Sequence, residues 1–167
     1  CFVWPDAGAD KRYSKQFKGT QTMTCAKERD FQTGWMNTKY LIGADSHQDC
    51  EHVIIVDDLS SRGGTFIGAA KKLRELLPNL KTITLCVAHC ENTIADGEIL
   101  KTDWIDKVYT TDSILNTELV RHEKLYVTCY NRLTAAEQLP EEVLSRANDY
   151  EENVKEYYLT ENGELLF

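Results

Sequence analysis

Residues 53–65 read Val53-Ile54-Ile55-Val56-Asp57-Asp58-Leu59-Ser60-Ser61-Arg62-Gly63-Gly64-Thr65, and this stretch decides how the chain folds. A run of apolar, β-branched residues bounded by turn signals predicts a buried strand over Val53–Val56. Two adjacent carboxylates, Asp57 and Asp58, end it. A short polar loop follows, and Gly63-Gly64-Thr65 opens an apolar-periodic segment. The residues Phe66, Ala69, Ala70, Leu73, Leu76 and Leu77 repeat at helical spacing, which predicts a helix over Thr65–Leu77, stopped by Pro78-Asn79. In an open α/β sheet, ligands bind at the carboxyl ends of the strands. The N–H groups of a glycine-rich loop entering a helix form a ready anion site. Carboxylates beside such a cradle would repel a phosphate, so they suit sugar hydroxyls or a magnesium ion instead. The stretch therefore predicts a sugar-phosphate site.

Working outward, apolar strand-like runs alternate with helical patterns. Strands are expected at Cys1–Trp4, Thr22–Ala26, Thr82–Ala88, Lys107–Thr110 and Leu125–Cys129. Helices are expected at Ala9–Phe17, with Tyr13 and Phe17 on one face, and at Thr93–Leu100. Lys27–Asp49 reads as a long polar loop with a short strand at Lys39–Ile42. Glu137–Tyr158 is acidic and helical in pattern, and Asn162-Gly163 is a turn. Strands alternating with helices imply right-handed βαβ units and a mainly parallel sheet in an α/β, three-layer sandwich. No repeat or linker interrupts the chain, so residues 1–167 read as a single domain. Its first strand begins at residue 1, as expected of a piece of a longer chain.

The 167 residues carry a net charge of −8, with a sequence pI near 5.0. Neutralising nucleic-acid phosphates needs a basic face, so no nucleic-acid partner is expected. No apolar run reaches the roughly 18–20 residues of a membrane span. Six dispersed cysteines, with Cys25, Cys86 and Cys129 inside apolar strand-like segments, read as buried free thiols of a reducing compartment, hence a cytoplasmic protein. Cys86, His89, Cys90 and Glu91 lack the second Cys/His pair of the usual zinc pattern.

The apolar run, acid pair, four-residue loop and Gly-Thr resemble the phosphoribosyl-pyrophosphate motif of the type I phosphoribosyltransferase fold. Other segments resemble the ribose-phosphate pyrophosphokinases (phosphoribosyl pyrophosphate synthetases) of that fold. They are Pro5-Asp6-Ala7-Gly8 with Lys11-Arg12, Lys27-Glu28-Arg29, Val87-Ala88-His89-Cys90 and Thr110-Thr111-Asp112-Ser113-Ile114. Their order and spacing match across residues 3–115, and the chain resembles the C-terminal half of such an enzyme.

The resemblance implies transfer of diphosphate from ATP to the anomeric hydroxyl of ribose 5-phosphate or a related ribose phosphate. It implies Lys27 and Arg29 as catalytic cations on a mobile loop, and Asp57 and Asp58 on the ribose hydroxyls, directly or through Mg²⁺. Ser60, Ser61, Arg62, Gly63, Gly64 and Thr65 would hold the 5-phosphate, and Asp6 would join Asp57 and Asp58 as a metal-linked residue. It also implies a homo-oligomer.

Two departures stand out. Family loops carry Asp-Thr where this chain has Ser61-Arg62, which points to a larger or more anionic acceptor. His89 precedes Cys90-Glu91-Asn92, where many synthetases have Gly, and by itself reads as a hydrogen-bonded strand-end histidine. A phosphoribosyltransferase, or a non-catalytic ligand-binding relative, is the alternative.

Overall fold

The computed structural model describes residues 1–29 and 36–129, with backbone only for 27–29 and 36–39. The expected helix at Glu137–Tyr158 and turn at Asn162-Gly163 lie outside these residues. Cys1–Cys129 form one compact unit.

Seven strands make one sheet: β1 (Phe2–Trp4), β2 (Thr22–Arg29), β3 (Met36–Ile42), β4 (His52–Ser60), β5 (Thr82–Cys90), β6 (Lys107–Thr111) and β7 (Leu125–Thr128), in the order β3-β2-β1-β4-β5-β6-β7. Every pairing is parallel except β2 with β3. This is the expected α/β fold, with β1 and β4 adjacent at its centre. The strand order reverses there, since the chain runs outward to β2 on one side and to β5 on the other. Such a switch point opens a crevice between neighbouring strand ends.

Side-chain alternation assigns the two faces of the sheet. Phe2 and Trp4 point to one face. Phe17 lies 4.6 Å from Phe2, and Phe17 and Tyr13 lie 5.2 and 6.2 Å from Trp4, measured between ring centroids. These rings belong to helix α1 (Ala7–Tyr13) and the 3₁₀ turn Ser14–Phe17 that extends it. Val3, on the other face, joins a core with Ile55, Leu85 and Val108 of the sheet and Phe66, Ala69, Ala70 and Leu73 of helix α2 (Gly64–Leu76). Each fully buried large aliphatic side chain there contributes about 1.5–3 kcal/mol. The buried stripe of α2 contains the predicted Phe66, Ala69, Ala70 and Leu73, with Ile67 added, while Leu76 is only half-buried and Leu77 caps the helix. The long α-helix Ala9–Phe17 is not formed. Asp6 starts the helix earlier by accepting the Ala9 N–H at 2.9 Å, and α-helical hydrogen bonding gives way at Ser14.

Four further expectations are corrected. β4 continues through the acid pair to Ser60, because β5 pairs with it as far as Cys90. Lys27 and Arg29 lie not on a loop but in β2, registered with Thr38 and Met36 of β3 across a bulge at Ala26/Lys27. The antiparallel partner supplies the backbone hydrogen bonds that the polar sequence concealed. Thr93–Leu100 is not a helix but a 3₁₀ turn, Asn92–Ala95, followed by irregular chain, with Gly97 breaking the run. All six thiols are free, but Cys86 is exposed on β5 whereas Cys25, Cys50 and Cys90 are buried.

Among the described residues, no helix is long and apolar enough to cross a membrane.

Candidate functional site

An open cleft of about 220 Å³ lies at the carboxyl ends of β1 and β4, lined by Asp6, Asp57, Leu59, Ser61, Gly63–Thr65 and Phe66. Two chemistries meet in it. On one side is the start of α2. Gly63 precedes the helix at φ +78°, in the left-handed region, and no side chain caps the helix. The Phe66 and Ile67 N–H groups both turn back to the Gly63 carbonyl, at 3.0 and 3.1 Å. The N–H groups of Gly64 and Thr65, being first-turn donors, have no acceptor within the helix. They and the Thr65 hydroxyl supply donors where the helix dipole is positive.

On the other side are carboxylates. Alternation turns Asp57 towards α2 and Asp58 towards α1, so the two adjacent acids open on different faces of the sheet. Asp58 is ion-paired to Arg12 of α1, whose guanidinium also sits 5.5 Å over the Tyr13 ring. Asp57 faces the cleft. Burial, with the nearby Asp58 and Asp6 charges adding to it, pushes its carboxyl up to about 6, although the Asp58 N–H, 2.9 Å away, works against the shift. Asp6 lines the same cleft while capping α1.

Of the residues proposed from sequence, Asp6, Asp57, Ser61, Gly63, Gly64 and Thr65 come together here. Ser60 does not line the cleft: it is fully buried, with its hydroxyl 3.4 Å from the Ser61 carbonyl. Arg62 is exposed and outside the lining, and Asp58 is reached from the α1 side. Lys27 and Arg29 are placed by backbone alone, in β2.

Sequence reasoning passed over Leu59 and Phe66, which form the apolar part of the lining, and Gly97, which shapes the loop from behind. A Cβ at Gly97 would stand 1.9 Å from the Arg62 carbonyl oxygen. A glycine inside a segment of otherwise helical pattern was the available signal.

A stretch of 72 residues is 38% identical to ribose-phosphate pyrophosphokinase 3, chloroplastic, of Arabidopsis thaliana, covering 42% of this chain and 16% of that enzyme. The fold matches the crystal structure of phosphoribosylpyrophosphate synthetase from Mycobacterium smegmatis with a TM-score of 0.58 at 24% identity, over 80% of this chain and 42% of that one. The likeness is to ribose-phosphate pyrophosphokinases. The match takes in less than half of either relative's length. No protein-family model matches the chain. The type I phosphoribosyltransferase-like fold is thereby established, and the chain is similar to transferases of the phosphoribosyl pyrophosphate synthetase kind.

Proposed function

We propose that this chain is a ribose-phosphate pyrophosphokinase-like domain, corresponding to the C-terminal half of such an enzyme, that binds a ribose phosphate in the β1/β4 cleft. One observation carries the reading: a single cleft offers unsatisfied helix N-terminal donors at one side and a carboxylate at the other. A sugar phosphate has the matching polarity, with its phosphate at Gly64 and Thr65 and its hydroxyls at Asp57. In the reaction, the anomeric hydroxyl oxygen of the ribose phosphate bonds to the β-phosphorus of ATP. The bond from that phosphorus to the α,β-bridging oxygen breaks, AMP departs and the hydroxyl proton is released. The chain's share is to fix the sugar in line and to supply cations, the role proposed for Lys27 and Arg29.

The cleft suits Mg²⁺. Asp6 and Asp57 are hard oxygen donors, and a bound cation would offset both the burial and the neighbouring negative charge that raise the Asp57 pKa. Among the described residues, no group of three or more His, Cys, Asp or Glu is placed to hold a metal. Magnesium ordinarily takes only one or two carboxylates and completes its shell with phosphate oxygens and water. When bound, it would neutralise phosphate charge and draw hydroxyls towards ionisation. Self-association and a cytoplasmic location belong to this reading, on the family resemblance and the free thiols respectively.

The test is AMP release from ATP and Mg²⁺ with a panel of ribose phosphates, assayed on the full gene product. AMP formation dependent on one acceptor is expected. Pyrophosphate release from phosphoribosyl pyrophosphate and a nucleobase, without any AMP, would show a phosphoribosyltransferase instead. Binding of a ribose phosphate without turnover would show a sensor.

Arg12 gives a smaller, separable prediction. Its pair with Asp58 is about half exposed on both sides. Arg12→Ala should leave the urea-denaturation midpoint nearly unchanged, since an exposed ion pair is screened by solvent. It should also tighten Mg²⁺ binding a few-fold in calorimetric titration, because the site gains net negative charge.

A further inference from the structure

His89, Thr111 and Ser113 form a hydrogen-bonded chain at the carboxyl ends of β5 and β6. Thr111 Oγ1 lies 2.7 Å from the Ala88 carbonyl oxygen and 2.9 Å from Ser113 Oγ, and Ser113 Oγ lies 2.7 Å from His89 Nδ1. Counting protons fixes the direction of the whole chain. A carbonyl oxygen only accepts, so the single Thr111 hydroxyl proton goes to Ala88. The contact between the Thr111 and Ser113 oxygens then needs the Ser113 proton. The Ser113 N–H, at 3.3 Å, also donates to Thr111 Oγ1, filling that oxygen's second acceptor position. Ser113 Oγ is left with lone pairs alone to offer His89. The proton of that contact therefore sits on Nδ1, and in the neutral ring Nε2 carries a free lone pair. Among the described residues, Nε2 has no hydrogen-bond partner.

The position of this atom gives it a use. His89 is the register partner of Leu59, and Leu59 lines the cleft beside Asp57. Neighbouring strands lie about 4.8 Å apart. His89 is not itself in the cleft lining; it stands one strand beyond Leu59, on the sheet face that carries Asp57, so the acceptors of this region, the Asp57 carboxylate and Nε2, lie on the β4/β5 side. The α2 side is made of donors. A lone pair repels a phosphate and invites a hydroxyl.

We propose that His89 is a positioning residue that accepts a hydrogen bond at Nε2 from a hydroxyl of the sugar bound in the cleft, with Ser113 and Thr111 holding the ring in the required tautomer. The proposal rests on the sugar-phosphate reading of the Asp57 cleft and extends it to β5 and β6. It gives Thr111 and Ser113 a role at one remove from the ligand.

The experiment combines a spectrum with a titration on the full ¹⁵N-labelled chain. In long-range ¹H–¹⁵N correlation spectra at alkaline pH, His89 should show the Nδ1–H tautomer, and its Nε2 resonance should move when ribose 5-phosphate and Mg²⁺ are added. His89→Asn keeps an N–H donor near the place of Nδ1 and removes Nε2. It should weaken ribose 5-phosphate binding about tenfold with unchanged thermal stability. Ser113→Ala should let the ring populate the other tautomer and weaken binding by less. An Nε2–H tautomer in the wild-type protein would overturn the proposal. Binding lost in Asp57→Asn but intact in His89→Asn would overturn it while leaving the sugar-phosphate site standing. No uptake of ribose 5-phosphate by the wild type would remove both.

Discussion

Asp57→Asn should yield a protein that is more stable at neutral pH and has lost its Mg²⁺-dependent affinity for ribose phosphates. The carboxyl titrates at about 6 in the fold, against an ordinary 3.8, chiefly because burial disfavours its charged form. Between those values the folded state holds the proton and the unfolded state has released it. Stability therefore falls as pH rises from about 4 through about 6, and at pH 7 the folded protein carries the full penalty. A shift of this size caps the penalty at about 3 kcal/mol. Solvent reaches the half-buried group, so about 1–2 kcal/mol is expected. For a domain of this size that is a rise in Tm of roughly 3–6 °C in Asp57→Asn at pH 7. It should shrink to a small fraction near pH 4, where the folded carboxyl is protonated and the unfolded one, with its ordinary value of 3.8, is roughly half so. The measurement is thermal unfolding of wild type and variant across pH 4–7. An equal Tm difference at every pH would show that the charge is not the cause. In the wild type, Mg²⁺ with a ribose phosphate should recover the lost stability through binding. Removing a charge that the fold holds at a cost should thus remove the proposed function, as expected of a site that trades stability for binding.

Gly97→Ala has the second large effect, and it acts from outside the cleft. The added methyl would stand 1.9, 2.8 and 3.1 Å from the carbonyl oxygen, carbonyl carbon and Cα of Arg62. Those atoms are backbone and cannot swing aside as a side-chain tip can. Either the 61–64 loop or the chain around 97 must move, so a loss of about 3 kcal/mol or more is expected in chemical denaturation. Because the same loop carries Ser61, Gly63 and Gly64, phosphate affinity should fall even in molecules that remain folded. Gly19→Ala is the control. Gly19 also has a positive φ, +84°, but a Cβ there meets nothing within 4 Å. It should cost only the backbone strain, about 1–2 kcal/mol, with ligand affinity retained. Similar losses in both variants would mean that contact with Arg62 does not set the loop.

Much of the site was legible in the chain. The run Val53–Val56, the two acids and Gly63-Gly64-Thr65 are local signals, and strand, turn and helix start are governed by neighbours in sequence. The reading faltered where distant residues decide. Lys27–Arg29 looks like loop because its charged residues give no period. The antiparallel partner Met36–Ile42 makes it strand. Thr93–Leu100 has helical spacing, yet the close approach of Gly97 to Arg62 leaves the chain there only a 3₁₀ turn and irregular backbone. Asp57 and Asp58 look like a matched pair because they adjoin in sequence. The pleat parts them, giving one to the cleft and the other to Arg12.

The sequence by itself determined the α/β class, the strand that carries the site and the residue types that line it, because hydrophobic period and turn chemistry are properties of short segments. Only the tertiary structure decided which of those residues share a cleft, that Asp57 is the acid raised to about 6, and that His89 joins Ser113 beside the cleft. Those outcomes depend on strand order, register and burial, which bring together groups tens of residues apart, and no local pattern encodes them.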